Sequence, residues 1–84
     1  MLSRAQVLER FGLPDNPAFE LTPVRDATNV LNIRVSREGK VGVDMSIGGL
    51  SRLADEIRHL DPDLATQIHA CLEETRRGPD QNSN

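Results

Sequence analysis

Three side chains in this sequence carry chemistry that a neighbour could exploit: His59, His69 and Cys71. A structural zinc site needs four ligands at recognisable spacings. One cysteine and two histidines in this arrangement match none of those patterns. A nucleophilic Cys71 would need a base within reach and surroundings that favour the thiolate. His69 stands two residues before it on the same predicted helix and points in a different direction, because only residues three or four apart share a helix face. Cys71 is therefore expected to pack as a small hydrophobe, with His59 towards the polar face of its helix and His69 partly exposed. The adjacent acids Asp55-Glu56 and Glu73-Glu74 read as solvated helix faces. Gly48-Gly49 lies where a strand gives way to a helix, a place where free N–H groups and the helix dipole can hold an anion. A phosphate loop would add glycines at fixed offsets or a Gly-Lys-Ser/Thr ending, yet Leu50 follows and no lysine stands near. The pair is expected to let the chain reverse tightly. No catalytic residue, metal or cofactor is expected.

Composition narrows the remaining classes. At 84 residues the chain holds one domain. It has no Trp and no Tyr, and its aromatics are Phe11 and Phe19, so the core must be built from Leu, Ile and Val. The formal net charge of −3 and a pI near 5.2 argue against affinity resting on phosphate neutralisation. Lys40 is the only lysine among many arginines, a bias that suggests a GC-rich bacterial or phage genome. A single cysteine forms no intramolecular disulfide. The first residues lack the continuous apolar region of a signal peptide, and no stretch has the apolar length of a membrane span. A cytoplasmic location and no membrane partner are expected.

These residues need elements to position them. Residues 3–11 read as a short helix capped by Ser3, with Val7, Leu8 and Phe11 at helical spacing. Gly12-Leu13-Pro14 is a strong stop. Residues 19–24 read as an edge strand, a setting that tolerates Pro23, and residues 25–28 as a connecting loop. A second helix is expected over 48–60, with Leu50, Leu53, Ala54, Ile57 and Leu60 on one stripe. Asp61-Pro62 is an N-cap followed by proline at the first helical position. A third helix over 62–77 turns Leu64, Ala65, Ile68 and Leu72 inward and ends in Arg76-Arg77, where the helix dipole favours cations. Residues 1–78 then form a single α+β domain, and 79–84 a disordered polar tail. Its parts are a short N-terminal helix, a two- or three-stranded antiparallel sheet with a central hairpin at about 30–47, and a C-terminal helical hairpin packed on one face.

The hairpin is the most fully specified element. Leu31, Ile33 and Val35 alternate with polar residues, as do Val41, Val43, Met45 and Ile47. A two-residue turn at Glu38-Gly39 would put the two apolar sets on opposite faces. A three-residue loop, with Gly39 in the left-handed region, pairs Val35 with Val41, Ile33 with Val43 and Leu31 with Met45. It also sets Asn32 opposite Asp44 and Arg34 opposite Gly42. The predicted core is Val7, Leu8, Phe11, Leu31, Ile33, Val35, Val41, Val43, Met45, Leu50, Leu53, Ile57, Leu60, Leu64, Ile68 and Leu72.

The functional expectation is a non-enzymatic binding or regulatory protein that contacts another protein or a second copy of itself. The strand at 40–47 would be an outer edge open to pairing. Its candidate contact residues are Lys40, Val41, Val43, Asp44 and Met45. Lys40 and Asp44 could instead act as gatekeepers against pairing. The alternative is a nucleic-acid-binding regulator using a basic patch of Arg34, Arg37 and Lys40, or the last two helices as a helix-turn-helix. In the second case Asp63, Glu73 and Glu74 on the reading helix would repel phosphate, which disfavours a nucleic-acid partner.

Overall fold

A computed structural model describes residues 1–38 and 40–77. The left-handed backbone expected at Gly39 and the expected tail at 79–84 lie outside the described residues. The chain runs α1 (Arg4–Arg10), β1 (Glu20–Arg25), β2 (Leu31–Ser36), β3 (Val43–Ser46), α2 (Ile47–Ile57) and α3 (Pro62–Arg77). The strands form one antiparallel sheet in the order β1-β2-β3. The fold is α+β, with three strands and the helices packed on one face.

Local chemistry explains where the helices begin and end. The Ser3 hydroxyl accepts from the Gln6 N–H at 3.2 Å, and the Gln6 side chain accepts from the Ser3 N–H at 2.8 Å, a reciprocal capping box. At the other end of α1, Gly12 adopts φ +77°. Its N–H donates to Glu9 C=O and the Leu13 N–H donates to Leu8 C=O, both at 3.0 Å. This is a Schellman stop, and it folds Leu13 back into the core beside Leu8. At α3 the Asp61 carboxylate caps the Leu64 N–H at 3.0 Å, with Pro62 in the first turn. The helix expected at 48–60 is shorter and starts earlier. The strand runs straight into α2, and Ser46 serves both as the last strand residue and as the N-cap, accepting from Gly49 N–H at 3.0 Å. Gly48 and Gly49 therefore lie in the first helical turn and not in a reversing loop. A Cβ on Gly49 would come within 3.1 Å of the Ser46 hydroxyl, so the small residue leaves the cap room.

The β1–β2 connection is a hairpin whose turn chemistry sits at Asp26-Ala27-Thr28-Asn29. One Asp26 carboxylate oxygen accepts from the Thr28 N–H, the Thr28 hydroxyl and the Val30 N–H, at 2.7–2.9 Å. Asn29 takes the left-handed conformation at φ 67°, which Asn tolerates better than most residues. The Thr28 hydroxyl, then the Val30 N–H, holds the Asp26 carboxyl below its usual range. This is the loop geometry expected for the other hairpin, realised here with asparagine in place of glycine.

The β2–β3 register differs from expectation by two residues. Ile33 pairs with Met45, Val35 with Val43, Arg34 with Asp44 and Asn32 with Ser46. The connector therefore runs over 37–42, and the strand expected at 40–47 covers only Val43–Ser46. The shift sets Met45 against Ile33, and both are buried. It also brings Arg34 opposite its counterion and puts Ser46 where α2 must start.

The core consists of Val7 and Leu8 from α1, Leu13, Phe19, Ile33, Val35 and Met45, Leu50, Leu53, Ala54 and Ile57 from α2, and Leu64, Ala65 and Ile68 from α3. Each fully buried Leu, Ile or Val side chain contributes about 1.5–3 kcal/mol relative to exposure. Phe11, Leu60 and Leu72 are half-buried against this core, and Leu31 is half-buried as well. Val41 and Val43 were expected inside. Val41 is instead 99% exposed and Val43 39%, because the register carries them past the area that α2 covers. Among the described residues no helix is long and apolar enough to cross a membrane.

One polar side chain ties the helices to the loops. Arg4 donates to Asp61 Oδ2 (2.8 Å), Asp15 Oδ1 (2.8 Å) and Asn16 C=O (2.7 Å), joining α1, the following loop and the cap of α3. The Leu64 N–H and then the Arg4 guanidinium hold the Asp61 carboxyl below its usual value. On acidification the unfolded chain therefore takes up this proton first. The contribution is complete well above about pH 4, the unfolded value. It falls as pH drops through the lower folded value and is then gone. Asp61→Asn keeps an N-cap oxygen and loses the ion pair. Urea unfolding should show the variant about 1 kcal/mol less stable at pH 7, with the gap closing below pH 4. A gap independent of pH would contradict this account.

Candidate functional site

The alternation of backbone hydrogen bonds decides which groups the sheet leaves open. The Asp26 N–H donates to Val30 C=O at 3.0 Å. Counting back along the constant β1–β2 register, Val24, Thr22 and Glu20 turn their N–H and C=O groups towards β2, whereas Leu21, Pro23 and Arg25 turn theirs away. Pro23 thus places its missing N–H on the outer side of β1. Across β2 the phase inverts, so Ile33 and Val35 bond to Met45 and Val43 of β3. Asp44 then directs its own N–H and C=O outward. Of the two outer edges, β1 has a donor removed at its middle and β3 does not.

The side chains of the β3 edge divide by face. Met45 points into the core at 8% exposure and turns its backbone groups towards Ile33, so it offers a partner on the outer edge neither side chain nor backbone. Val43 and Val41 lie on the same alternation as Met45 but beyond its cover. Asp44 lies on the solvent face, where the Arg34 guanidinium forks onto it at 2.8 and 3.2 Å. The pairing is of the non-hydrogen-bonded type, which brings directly opposed side chains close. Hydrogen bonding from Arg34 keeps the Asp44 carboxyl below its usual range.

The connector approaches the sheet closely at Gly42. A Cβ there would sit 2.8 Å from Arg34 Cγ, Ser36 Cβ and the Val35 carbonyl oxygen. Arg34, Ser36, Lys40, Val41, Gly42 and Asp44 together line an open depression of about 480 Å³ on the solvent face.

The two expected constellations fare differently. Lys40, Val41, Val43 and Asp44 do lie together at an outer edge, with Lys40 and Val41 on the connector. Of the basic patch, Arg37 and Lys40 are exposed on the connector, where Arg37 C=O accepts from Lys40 N–H at 3.0 Å. The Arg34 charge is committed to Asp44. His59 is exposed in the turn after α2 and His69 is exposed on α3, and Cys71 is half-buried against the core. Among the described residues no group of three or more His, Cys, Asp and Glu side chains converges. The asymmetry between the edges went unread in the sequence. Pro23 was its visible half, but the hydrogen-bonding phase needed the turn geometry.

Comparison of the chain with protein-family models, with curated proteins and with solved structures gives no match.

Gly42→Ala forces the connector off β2, because one of the atoms it meets is backbone. The variant should be about 1–3 kcal/mol less stable. Faster amide exchange at Val35 and Val43 should accompany the loss, while the β1–β2 pair stays protected. Unchanged exchange at both positions would contradict this role for Gly42.

Proposed function

We propose that this protein is a non-enzymatic binding or regulatory module that acts by protein–protein contact through the outer edge at β3. The observation that carries the reading is the open β3 edge, with outward backbone groups at Asp44 and the exposed apolar side chains of Val41 and Val43 beside it. An edge of this kind binds an extended segment of another chain through main-chain hydrogen bonds, with flanking side chains selecting the partner. The neutralisation of Asp44 by Arg34 supports the reading, since an unpaired charge on the edge would oppose pairing. A nucleic-acid role draws less support, because Arg34 is withdrawn from the basic patch and the chain is acidic.

A photo-crosslinking residue at Val41, with the same residue at exposed Thr66 of α3 as a control, tests the assignment. A discrete protein adduct is expected at position 41 and not at 66. Asp44→Pro, which removes an outward N–H, should abolish it, and Asp44→Ala should not. Equal adducts at both positions, or retardation of duplex DNA that weakens steeply with salt, would overturn the reading.

A further inference from the structure

We infer that β3 has a second register against β2, displaced by two residues and reached by unwinding the first turn of α2. In it Val35 pairs with Val41, Ile33 with Val43 and Leu31 with Met45. The slip stands on the fold alone, and its effect on binding rests on the edge reading above.

A two-residue slip preserves both constraints on the sheet. Side chains alternate with a period of two, so Val41, Val43 and Met45 keep to the apolar face. The hydrogen-bonding phase repeats every two residues as well, so Ile33 and Val35 still bond to β3. Each apolar side chain moves one place deeper. Val43, 39% exposed, enters the place where Met45 is 8% exposed, and Val41, 99% exposed, enters the place that Val43 leaves. Met45 moves against the half-buried Leu31. The segment between the last bonded pair shortens from 36–42 to 36–40, a common hairpin loop length. The observed register is held against this gain by the Ser46 cap, the exposed Arg34–Asp44 pair and the half-buried Ile47 side chain.

Chain length permits the move. Two residues of strand measure about 6.8 Å. Leu50 is fully buried, so Ser46 has to move away from a fixed point. In helical form the four steps from Ser46 to Leu50 rise about 6 Å. Extended, they span about 13–14 Å, and the difference covers the displacement. The residues to be extended are Ile47, Gly48 and Gly49. A β-branched residue favours extended backbone, and glycine is the poorest helix former after proline. Gly49 is explained by the cap, since a Cβ there would come within 3.1 Å of the Ser46 hydroxyl. Gly48 has no such reason. A Cβ at that position meets nothing within 4 Å, so α2 would accept alanine and gain stability from it. The slip gives Gly48 a purpose, because glycine lowers the cost of unwinding the turn.

The two registers present different surfaces. The observed one offers Val41 and Val43 beside the edge. The slipped one draws both towards the core, sets Asp44 opposite Asn32 and leaves Arg34 opposite Gly42 without an opposed acid. A partner that engages the exposed valines therefore holds the observed register, and the slip withdraws them when no partner is bound.

The α-proton of Asp44 reports the register. Directly opposed residues of a non-hydrogen-bonded pair have Cα atoms about 4.5 Å apart with their α-protons between them. Asp44 meets Arg34 in this way in the observed register and Asn32 in the slipped one. Relaxation dispersion on the unmodified chain should show one exchange process shared by residues 41–49 and absent from 26–30. Gly48→Ala should lower the minor population about two- to fivefold. Ser46→Val removes the cap and favours strand, so it should raise that population and bring up the Asp44–Asn32 contact. Flat dispersion over 41–49, with only the Asp44–Arg34 contact in Ser46→Val, would overturn the slip. Exchange that Gly48→Ala leaves unaltered would overturn it too. The Val41 adduct should persist in Gly48→Ala. Its loss there, with dispersion behaving as expected, would remove the edge reading and leave the slip standing.

Discussion

The phase of the sheet depends on one turn. The Asp26 carboxylate gathers three donors, and Asn29 accepts a left-handed backbone, so that Asp26 and Val30 close the β1–β2 hairpin in one register. Each residue of β2 has one N–H and one C=O, both directed to the same side, so bonding to β1 at even positions leaves only odd positions for β3. Everything at the sheet's borders descends from that alternation. Pro23 is harmless because its blank position faces outward. Ile33 can be bonded to β3 and buried under α2 at once. A slip of one residue at the turn would invert every one of these assignments.

The helices are held against the sheet by burial first and by a few directed contacts second. Leu50, Leu53 and Ile57 supply an apolar face complementary to Ile33 and Met45, and Leu64 and Ile68 close the layer. Burial is not directional, and so it does not by itself fix how far a helix slides. Arg4 and Gln67 supply that restraint. Arg4 reaches two other segments, the loop at Asp15-Asn16 and the cap of α3, and the Gln67 side chain donates to Phe19 C=O at 2.8 Å, pinning α3 to the entry of β1. With only two aromatic residues the core has few large anchors, and polar ties of this kind carry more of the positional specificity.

The candidate site is a by-product of the same register. Bringing Met45 over Ile33 moves Val41 and Val43 beyond the cover of α2. It also places Arg34 opposite Asp44. One shift thereby exposes two apolar side chains, neutralises the neighbouring acid and reduces the hairpin's basic patch. Part of this was legible from residues alone: the outer position of the strand, and Lys40, Val41, Val43 and Asp44 as its border. The division of labour among them was not, because it depends on which residue stands opposite which.

What the sequence by itself determined is everything governed by short-range periodicity and caps. The alternation of Leu31 to Val35, the stripe from Leu50 to Ile57, the stop at Gly12-Leu13 and the cap at Asp61 follow from interactions spanning a few residues. Each survives in the folded chain. The faces of the strands were equally legible, since a period of two assigns them. The β2–β3 register was not, and the reason is general. A shift of two residues leaves every side chain on the same face, so the apolar pattern is identical before and after. Only tertiary contacts separate the two alternatives. Met45 gains burial over Ile33, Arg34 gains Asp44, and Ser46 must both finish β3 and cap α2. The tertiary structure chose between two registers that the sequence pattern leaves degenerate.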